Sequence, residues 1–284
     1  MTVTADRHPA NSETSQEGSR WYIHPTSGER FISVTTVLGN IARFGLIDWA
    51  ARLSAAAAFD RLPQLNRASR IAACNLTKTA DACGSCRDCV TYWLADRHNQ
   101  VRDDAADLGV KLHDIAESDS LFGEGVHIDE DVRPYAEQLR AWRSAYQPEF
   151  HAAEMTVISR KWGYAGTLDA ILSIAAMPEK LAHLSGLPVC VDWKTSKNVD
   201  LIKGWQVIAY ANADAVLLPD GTELPMPEIK GGLIVHVRPE RVQMREVHLT
   251  AENFQYFIHL LRVVEGLSAG LNTVLSRPVT LKEN

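Results

Sequence analysis

The pattern of apolar and polar residues changes along the chain near residue 150. Upstream, apolar residues recur at helical spacing, which predicts helices over 48–62, 90–118 (with a break near Gly109) and 129–146. Downstream, apolar runs and alternation predict strands over 153–160, 165–174 and 188–195. The remaining pattern predicts a helix over 200–217, a hairpin of 232–237 with 242–249, and a helix over 251–267. This order predicts an α/β fold, a mixed central sheet flanked by helices on both sides.

The first hundred residues differ in composition from this core. Residues 1–20 are polar and lack periodicity, so a disordered tail is predicted there. Residues 64–90 are irregular and carry most of the cysteines. The predicted organisation has four parts, which are a tail (1–20), a helical, cysteine-bearing N-terminal region (21–108), the α/β core (109–270) and a C-terminal tail (271–284).

Three short segments of the core carry candidate chemistry: Gly166–Asp169, Val191–Lys194 and Gln206–Tyr210. Side chains at i and i+2 of a strand point the same way, so Asp192 and Lys194 are predicted to share a face. The carboxylate suits Mg²⁺ or Mn²⁺, which favour oxygen ligands. The lysine is suited to orient an attacking water or to neutralise charge on a phosphate. Asp169 is predicted to be a second metal ligand, delivered by the neighbouring strand.

Further candidates lie on both sides of these strands. His113, in a segment of helical pattern, is a candidate metal ligand, and Glu154, near the start of the first strand, is another. Gln206 and Tyr210 lie one helical turn apart and therefore share a face, where they would brace the lysine or contact substrate. Each of these residues also has an ordinary structural interpretation, as a surface histidine, a solvent-facing strand residue or a hydrogen-bonded core pair.

The order of these motifs resembles the PD-(D/E)XK nuclease superfamily in its RecB-like branch, which includes the CRISPR-associated RecB-like exonucleases. The motifs run G-x-x-x-H, E, G-x-x-D, D-x-K and Q-x-x-x-Y, over roughly residues 21–270. Segments Phe31–Leu38 and Leu46–Ala50 are similar to phage-encoded members from actinobacterial hosts. The resemblance implies a restriction-endonuclease-like core and a metal-dependent DNase with His113, Asp169, Asp192 and Lys194 at its centre.

Four of the five cysteines fall within sixteen residues, as Cys74, Cys83, Cys86 and Cys89. In a cytosolic chain such spacing indicates a metal site rather than disulfides, either an iron–sulfur cluster or tetrahedral zinc. The resemblance favours iron–sulfur, although family members usually place one cysteine before the core and three after it. The fifth cysteine, Cys190, alternates with apolar residues in a strand and is predicted to be a buried thiol.

Composition restricts the function classes. The net charge is −6, from 29 basic and 35 acidic residues, which argues against a general nucleic-acid coat protein but not against a nuclease with clustered acids. No apolar run approaches a membrane span, and no secretion signal precedes the core, so a cytoplasmic location in a bacterial host cell is expected.

The predicted function is a DNA exonuclease that uses one or two Mg²⁺ or Mn²⁺ ions in phage or bacterial recombination or DNA processing. Its expected partners are DNA with a free end or a single strand, and a recombinase or single-strand-binding protein. Two alternatives remain open at this point. One is a nucleic-acid-binding protein of the same fold without turnover, and the other is a restriction-type endonuclease.

Overall fold

The computed structural model describes residues 12–15, 19–41, 44–68, 86–122 and 128–268. The chain forms two compact units. The smaller unit is Ala42–Lys111, and the larger combines Met1–Ile41 with Leu112–Asn284. The described residues up to Ile41 therefore belong with the α/β core. The chain returns to that unit at Leu112, close to the boundary predicted at residue 109.

Ten strands of the described residues form one mixed sheet in the larger unit. The strands are β1 (Ser12–Thr14), β2 (Arg20–Ile23), β3 (Arg30–Ser33), β4 (Glu149–Ser159), β5 (Tyr164–Ser173), β6 (Val189–Lys194), β7 (Ala215–Leu217), β8 (Glu223–Pro225), β9 (Gly231–Arg238) and β10 (Arg241–Val247). One path runs β1-β2-β3-β5-β4-β7-β8, and β6 joins β5 to the β9–β10 hairpin. Strand β1 lies within the segment predicted to be a disordered tail.

Two strand pairs are parallel, β3 with β5 and β6 with β9, and the others are antiparallel. Strands β4 and β5 form a long hairpin whose turn ends at Gly163, where φ is +77°, a conformation that favours glycine. The prediction of a mixed sheet flanked by helices is confirmed.

Helices cover both faces of this sheet. Helices α1 (Val34–Gly39), α6 (Leu201–Ala211) and α7 (Ala251–Ser268) pack together, and α6 also contacts β5, β6 and β9. On the other face, α5 (Arg133–Tyr146) contacts β9 and β10. The apolar stripes of α1, α6 and α7 and the strand residues that face them form the main core, which includes Val37, Ile208 and Phe257.

Two predicted helix boundaries in this unit were wrong. Helix α5 begins at Arg133 rather than at residue 129, because its cap, Val132, follows a turn and supplies no side-chain hydrogen bond. Helix α6 ends at Ala211 rather than at residue 217, since Asn212 caps it and Ala215–Leu217 pair with β4 as a strand. The apolar run Ala215–Leu217 is compatible with either a helix or a strand, and its pairing with β4 makes it a strand.

The smaller unit contains α2 (Phe44–Asp60), α3 (Leu62–Ala68) and the first part of α4 (Arg87–Phe122). The helix predicted over 48–62 is found as α2, which begins four residues earlier and ends at Asp60. Pro63 lies in the first turn of the next helix, α3, where its missing N–H costs no hydrogen bond. The predicted break near Gly109 was also wrong, because α4 is continuous through it. Ser54 Oγ donates to the Leu94 carbonyl (2.8 Å), which ties α2 to α4.

The described helices were also compared with the length and hydropathy that a membrane span requires. None of them combines sufficient length with sufficient apolar content to cross a bilayer.

Candidate metal centre

Two neighbouring strands deliver the predicted pair of aspartates. Strands β5 and β6 are antiparallel, and Ala170 pairs with Val191. The next residues along, Asp169 on β5 and Asp192 on β6, therefore lie opposite each other. Asp192 is 1% exposed and Asp169 is 8% exposed. A carboxylate buried to this degree is costly unless it is paired or bound to a cation, so two adjacent ones require a compensating charge.

Lys194 supplies part of that charge. Its Nζ lies 2.6 Å from Asp192 Oδ2, on the same face of β6, while Trp193 packs edge-on against Trp142 of α5 on the opposite face. Burial alone lowers the pKa of Lys194, but Asp192 and Asp169 reverse this effect and raise it, so the ammonium stays charged. Burial raises the pKa of Asp192, and the adjacent ammonium opposes that shift.

The second oxygen of Asp192 is not compensated by protein. Among the described residues, Asp192 Oδ1 has no hydrogen-bond partner, although it is fully buried. The Oδ2 atom is paired with the Lys194 ammonium at 2.6 Å. An orphaned carboxylate oxygen at such a position fits a site built for a cation.

His113, in the part of α4 that belongs to the larger unit, faces these carboxylates. Its Nδ1 lies 3.6 Å from Asp169 Oδ2 and 3.9 Å from Glu154 Oε1. Its Nε2 lies 3.1 Å from the Trp193 carbonyl, which only accepts, so Nε2 carries a proton. In the neutral ring Nδ1 is therefore left with its lone pair toward the carboxylates, the arrangement of a histidine metal ligand.

Glu154 reaches the site through a distorted backbone. Its φ is +47°, the left-handed region that a glutamate rarely adopts. The ladder pairs Ala153 with Ala170 and Met155 with Leu168, which leaves Glu154 unpaired opposite Asp169. Such backbone costs about 1–2 kcal/mol and persists where surrounding structure requires it, often at a functional site.

One imidazole nitrogen and two carboxylate oxygens thus converge. The ligand atoms of His113, Glu154 and Asp169 all lie within 4.8 Å of one another. A ligand set of carboxylate oxygens and one imidazole binds Mn²⁺ or Mg²⁺ in preference to metals that favour sulfur ligands. The donor set, the unpartnered Asp192 oxygen and the distorted Glu154 all fit a divalent cation.

The main chain of Trp193 organises the centre, a role that the sequence did not indicate. Its N–H donates to Asp169 Oδ2 (2.8 Å), and its carbonyl accepts from His113. One residue of β6 therefore orients one candidate ligand from β5 and another from α4. Every residue type except proline offers both of these backbone groups, so no pattern in the sequence points to them.

The predicted Gln206–Tyr210 pair does form, as a hydrogen bond between the two side chains. Gln206 Nε2 donates to Tyr210 Oη (3.2 Å), and no hydrogen bond of the described residues joins either side chain to Lys194. Burial raises the pKa of Tyr210 well above its usual value, so the phenol stays neutral. Its ring packs directly on Gly166 of the G-x-x-D motif.

We expect Gly166→Ala to destabilise the protein by about 1–3 kcal/mol, because a Cβ there would lie 2.3 Å from Tyr210 Cε1. Urea unfolding of purified protein measures the effect. The matched control is Gly204→Ala, where the nearest atom to a Cβ, on Val247, is 3.9 Å away and helix propensity favours alanine. Equal stability of both variants would contradict the close approach of Tyr210.

A pH dependence follows from His113 in metal-free protein. Burial lowers the pKa of His113, but the Asp169 and Glu154 carboxylates more than offset this and raise it from 6.5 to about 9. Because the folded value is the higher one, the stabilisation is complete below pH about 6.5 and is lost as pH rises through about 9. At 1.36 kcal/mol per unit, it amounts to about 3 kcal/mol.

Urea unfolding in EDTA between pH 6 and 9.5 tests this dependence, with His113→Asn as the comparison. The wild-type free energy of unfolding is expected to fall more steeply with pH than that of the variant. Parallel pH profiles would show that His113 carries no raised pKa.

The predicted cysteine site lies only partly within the described residues. Cys74 and Cys83 lie outside them. Cys86 and Cys89 are buried at the start of α4, where the Cys89 N–H lies 3.5 Å from Cys86 Sγ. Cys190 is fully buried on β6, as predicted for a core thiol.

Comparisons with known proteins add little to this geometry. No family model matches the chain, and no curated protein matches it. One solved structure to which it is similar is titled "Crystal structure of SSO0001", with 13% sequence identity and a TM-score of 0.27. That likeness covers 59% of this chain and 69% of the other. At this TM-score it carries no argument, so the functional conclusion rests on the site itself.

Proposed function

We propose that this chain is a metal-dependent DNA exonuclease of the PD-(D/E)XK superfamily, RecB-like branch. The observation that carries the proposal is the buried Asp192–Lys194 pair beside Asp169, with His113 and Glu154 closing the same site. This arrangement places a charged ammonium within 2.6 Å of a carboxylate that has an unpartnered oxygen. Phosphodiester hydrolysis needs this combination of cation ligands and positive charge.

Four side chains would hold the divalent ions, through His113 Nδ1 and the carboxylates of Glu154, Asp169 and Asp192. A bound Mg²⁺ or Mn²⁺ supplies a Lewis acid for the phosphate and lowers the pKa of water. The chain's own contribution is positioning. Trp193 fixes the orientations of His113 and Asp169 through its backbone, and Lys194 presents a charge suited to a phosphate oxygen or an attacking water.

A neutral hydrogen-bonded pair, the half-buried Gln206 and the buried Tyr210, flanks these charges. Gln206 and Tyr210 lie on α6 above Gly166, and Tyr22 on β2 contacts Thr167 between that glycine and Asp169 (3.1 Å). These contacts fix the segment of β5 that carries Asp169. We therefore assign Gln206 and Tyr210 a positioning role rather than a direct role in bond cleavage.

The decisive experiment incubates the protein with end-labelled linear DNA, single- and double-stranded, in Mg²⁺, Mn²⁺ or EDTA. Linear DNA is expected to shorten from an end in Mg²⁺ or Mn²⁺ and to remain intact in EDTA. Closed circular DNA in the same buffers separates the alternatives. Linearised circles would indicate an endonuclease, and retarded but uncut DNA would indicate a binding protein without turnover.

A separate prediction concerns Cys74, Cys83, Cys86 and Cys89, which we expect to bind one metal centre. Protein purified without oxygen is expected to be brown if the centre is iron–sulfur, and colourless with one zinc per chain if it is zinc. Elemental analysis measures this, and Cys86→Ser is expected to lower the content, with Cys190→Ser as the control. Absence of both metals at stoichiometric level would refute the prediction.

A further inference from the structure

Two side chains of β9 hold the loop that follows Lys194. Lys194 is the last residue of β6 and pairs with His236 of β9. Beyond it, His236 Nε2 donates to the Ser196 carbonyl (2.7 Å), and Arg238 Nη1 donates to the Thr195 carbonyl. After the backbone hydrogen bonds between β6 and β9 end, side chains of β9 therefore still hydrogen-bond the chain that follows β6. We call His236 and Arg238 the loop clamp.

His236 is expected to destabilise the fold at its position. It is 4% exposed, its neighbours Val235 and Val237 are fully buried, and its Nδ1 is buried without a hydrogen-bond partner among the described residues. An orphaned buried acceptor costs roughly 1–3 kcal/mol. The Ser196 carbonyl belongs to an exposed residue and would be hydrated without His236. Stability therefore does not explain a histidine here.

We propose that the loop clamp, and His236 in particular, positions Lys194 for catalysis, an inference that rests on the proposed nuclease function. The terminal residue of a strand frays unless the chain beyond it is held. Fraying would move the ammonium relative to Asp192, and a displacement of about 1 Å in a catalytic group can reduce a rate about a hundredfold. His236 is a positioning residue, because it acts through the loop and Lys194 rather than on substrate.

Three variants test the clamp. His236→Leu removes the donor and the orphaned nitrogen, His236→Gln keeps an N–H donor at the same reach, and His259→Leu is a control on the exposed surface of α7. Hydrogen exchange of residues 195–200, thermal unfolding, and kcat and KM on linear DNA at saturating Mn²⁺ are measured for each. His236→Leu is expected to exchange faster in that loop and to lose about 10–100-fold in kcat, with KM nearly unchanged.

The thermal stability of His236→Leu is expected to equal or exceed that of wild type, and His236→Gln is expected to recover most of the rate. This combination separates positioning from a structural role, which would lower stability together with activity. An unchanged exchange rate at residues 195–200, or an unchanged kcat, would overturn the proposal. Inactive wild-type protein would refute the nuclease function alone, and loop exchange would still decide whether the clamp exists.

Discussion

Lys194→Ala and Asp192→Asn are each expected to lower the rate of DNA hydrolysis by roughly two to three orders of magnitude. The lysine variant removes the charge beside the proposed phosphate site, and the aspartate variant removes a proposed cation ligand. The two side chains form one ion pair in which Asp192 is buried and Lys194 is 13% exposed, so either change also leaves a charge without its partner. Single-turnover rates on end-labelled DNA, at saturating Mn²⁺, measure the loss.

Two exposed residues provide matched controls for these variants. Lys230→Ala removes a lysine paired with Glu228 in the loop before β9, and Asp220→Asn changes an aspartate in the turn before β8. Both controls are expected to keep the wild-type rate. Circular dichroism establishes whether each site variant is folded. A folded Lys194→Ala or Asp192→Asn protein with near wild-type activity would show that the ion pair is not the catalytic centre.

The sequence predicted the parts of this site that depend on short-range periodicity. The two-residue period of a strand placed Asp192 and Lys194 on one face, and the helical period placed Gln206 beside Tyr210. Each pair lies within a single strand or helix, so the prediction that its members share a face does not depend on where that strand or helix begins or ends. The predicted strands of the core were likewise found within a few residues of their expected ends.

Other features depend on pairing between elements distant in sequence. The Trp193 backbone meets His113 across 80 residues, and His236 meets Ser196 across 40. The left-handed backbone of Glu154 lies within the β4–β5 hairpin, at a position that no sequence motif marks. No local pattern encodes the contacts of Trp193 and His236, because they form only when strands and helices distant in sequence come together.

The backbone of Glu154 leads to the second large expected effect. Glu154→Gly, Glu154→Ala and Glu154→Gln each remove a carboxylate from the proposed cation site, so all three are expected to weaken Mn²⁺ binding. Loss of a group that only orients a ligand costs about 10–100-fold in metal affinity, and loss of a ligand itself is expected to cost at least that. Calorimetric titration of metal-free protein with Mn²⁺ measures the change.

The stability of the same variants is expected to separate them. Glycine accepts a φ of +47° without strain, whereas alanine keeps the left-handed cost of about 1–2 kcal/mol. Glycine also gains more freedom in the unfolded chain, which offsets about 0.4–1 kcal/mol of this difference. Metal-free Glu154→Gly is therefore expected to be more stable than Glu154→Ala by about 1 kcal/mol in urea unfolding, while both bind Mn²⁺ equally poorly. Tight Mn²⁺ binding by either variant would mean that the strained backbone serves something other than the cation site.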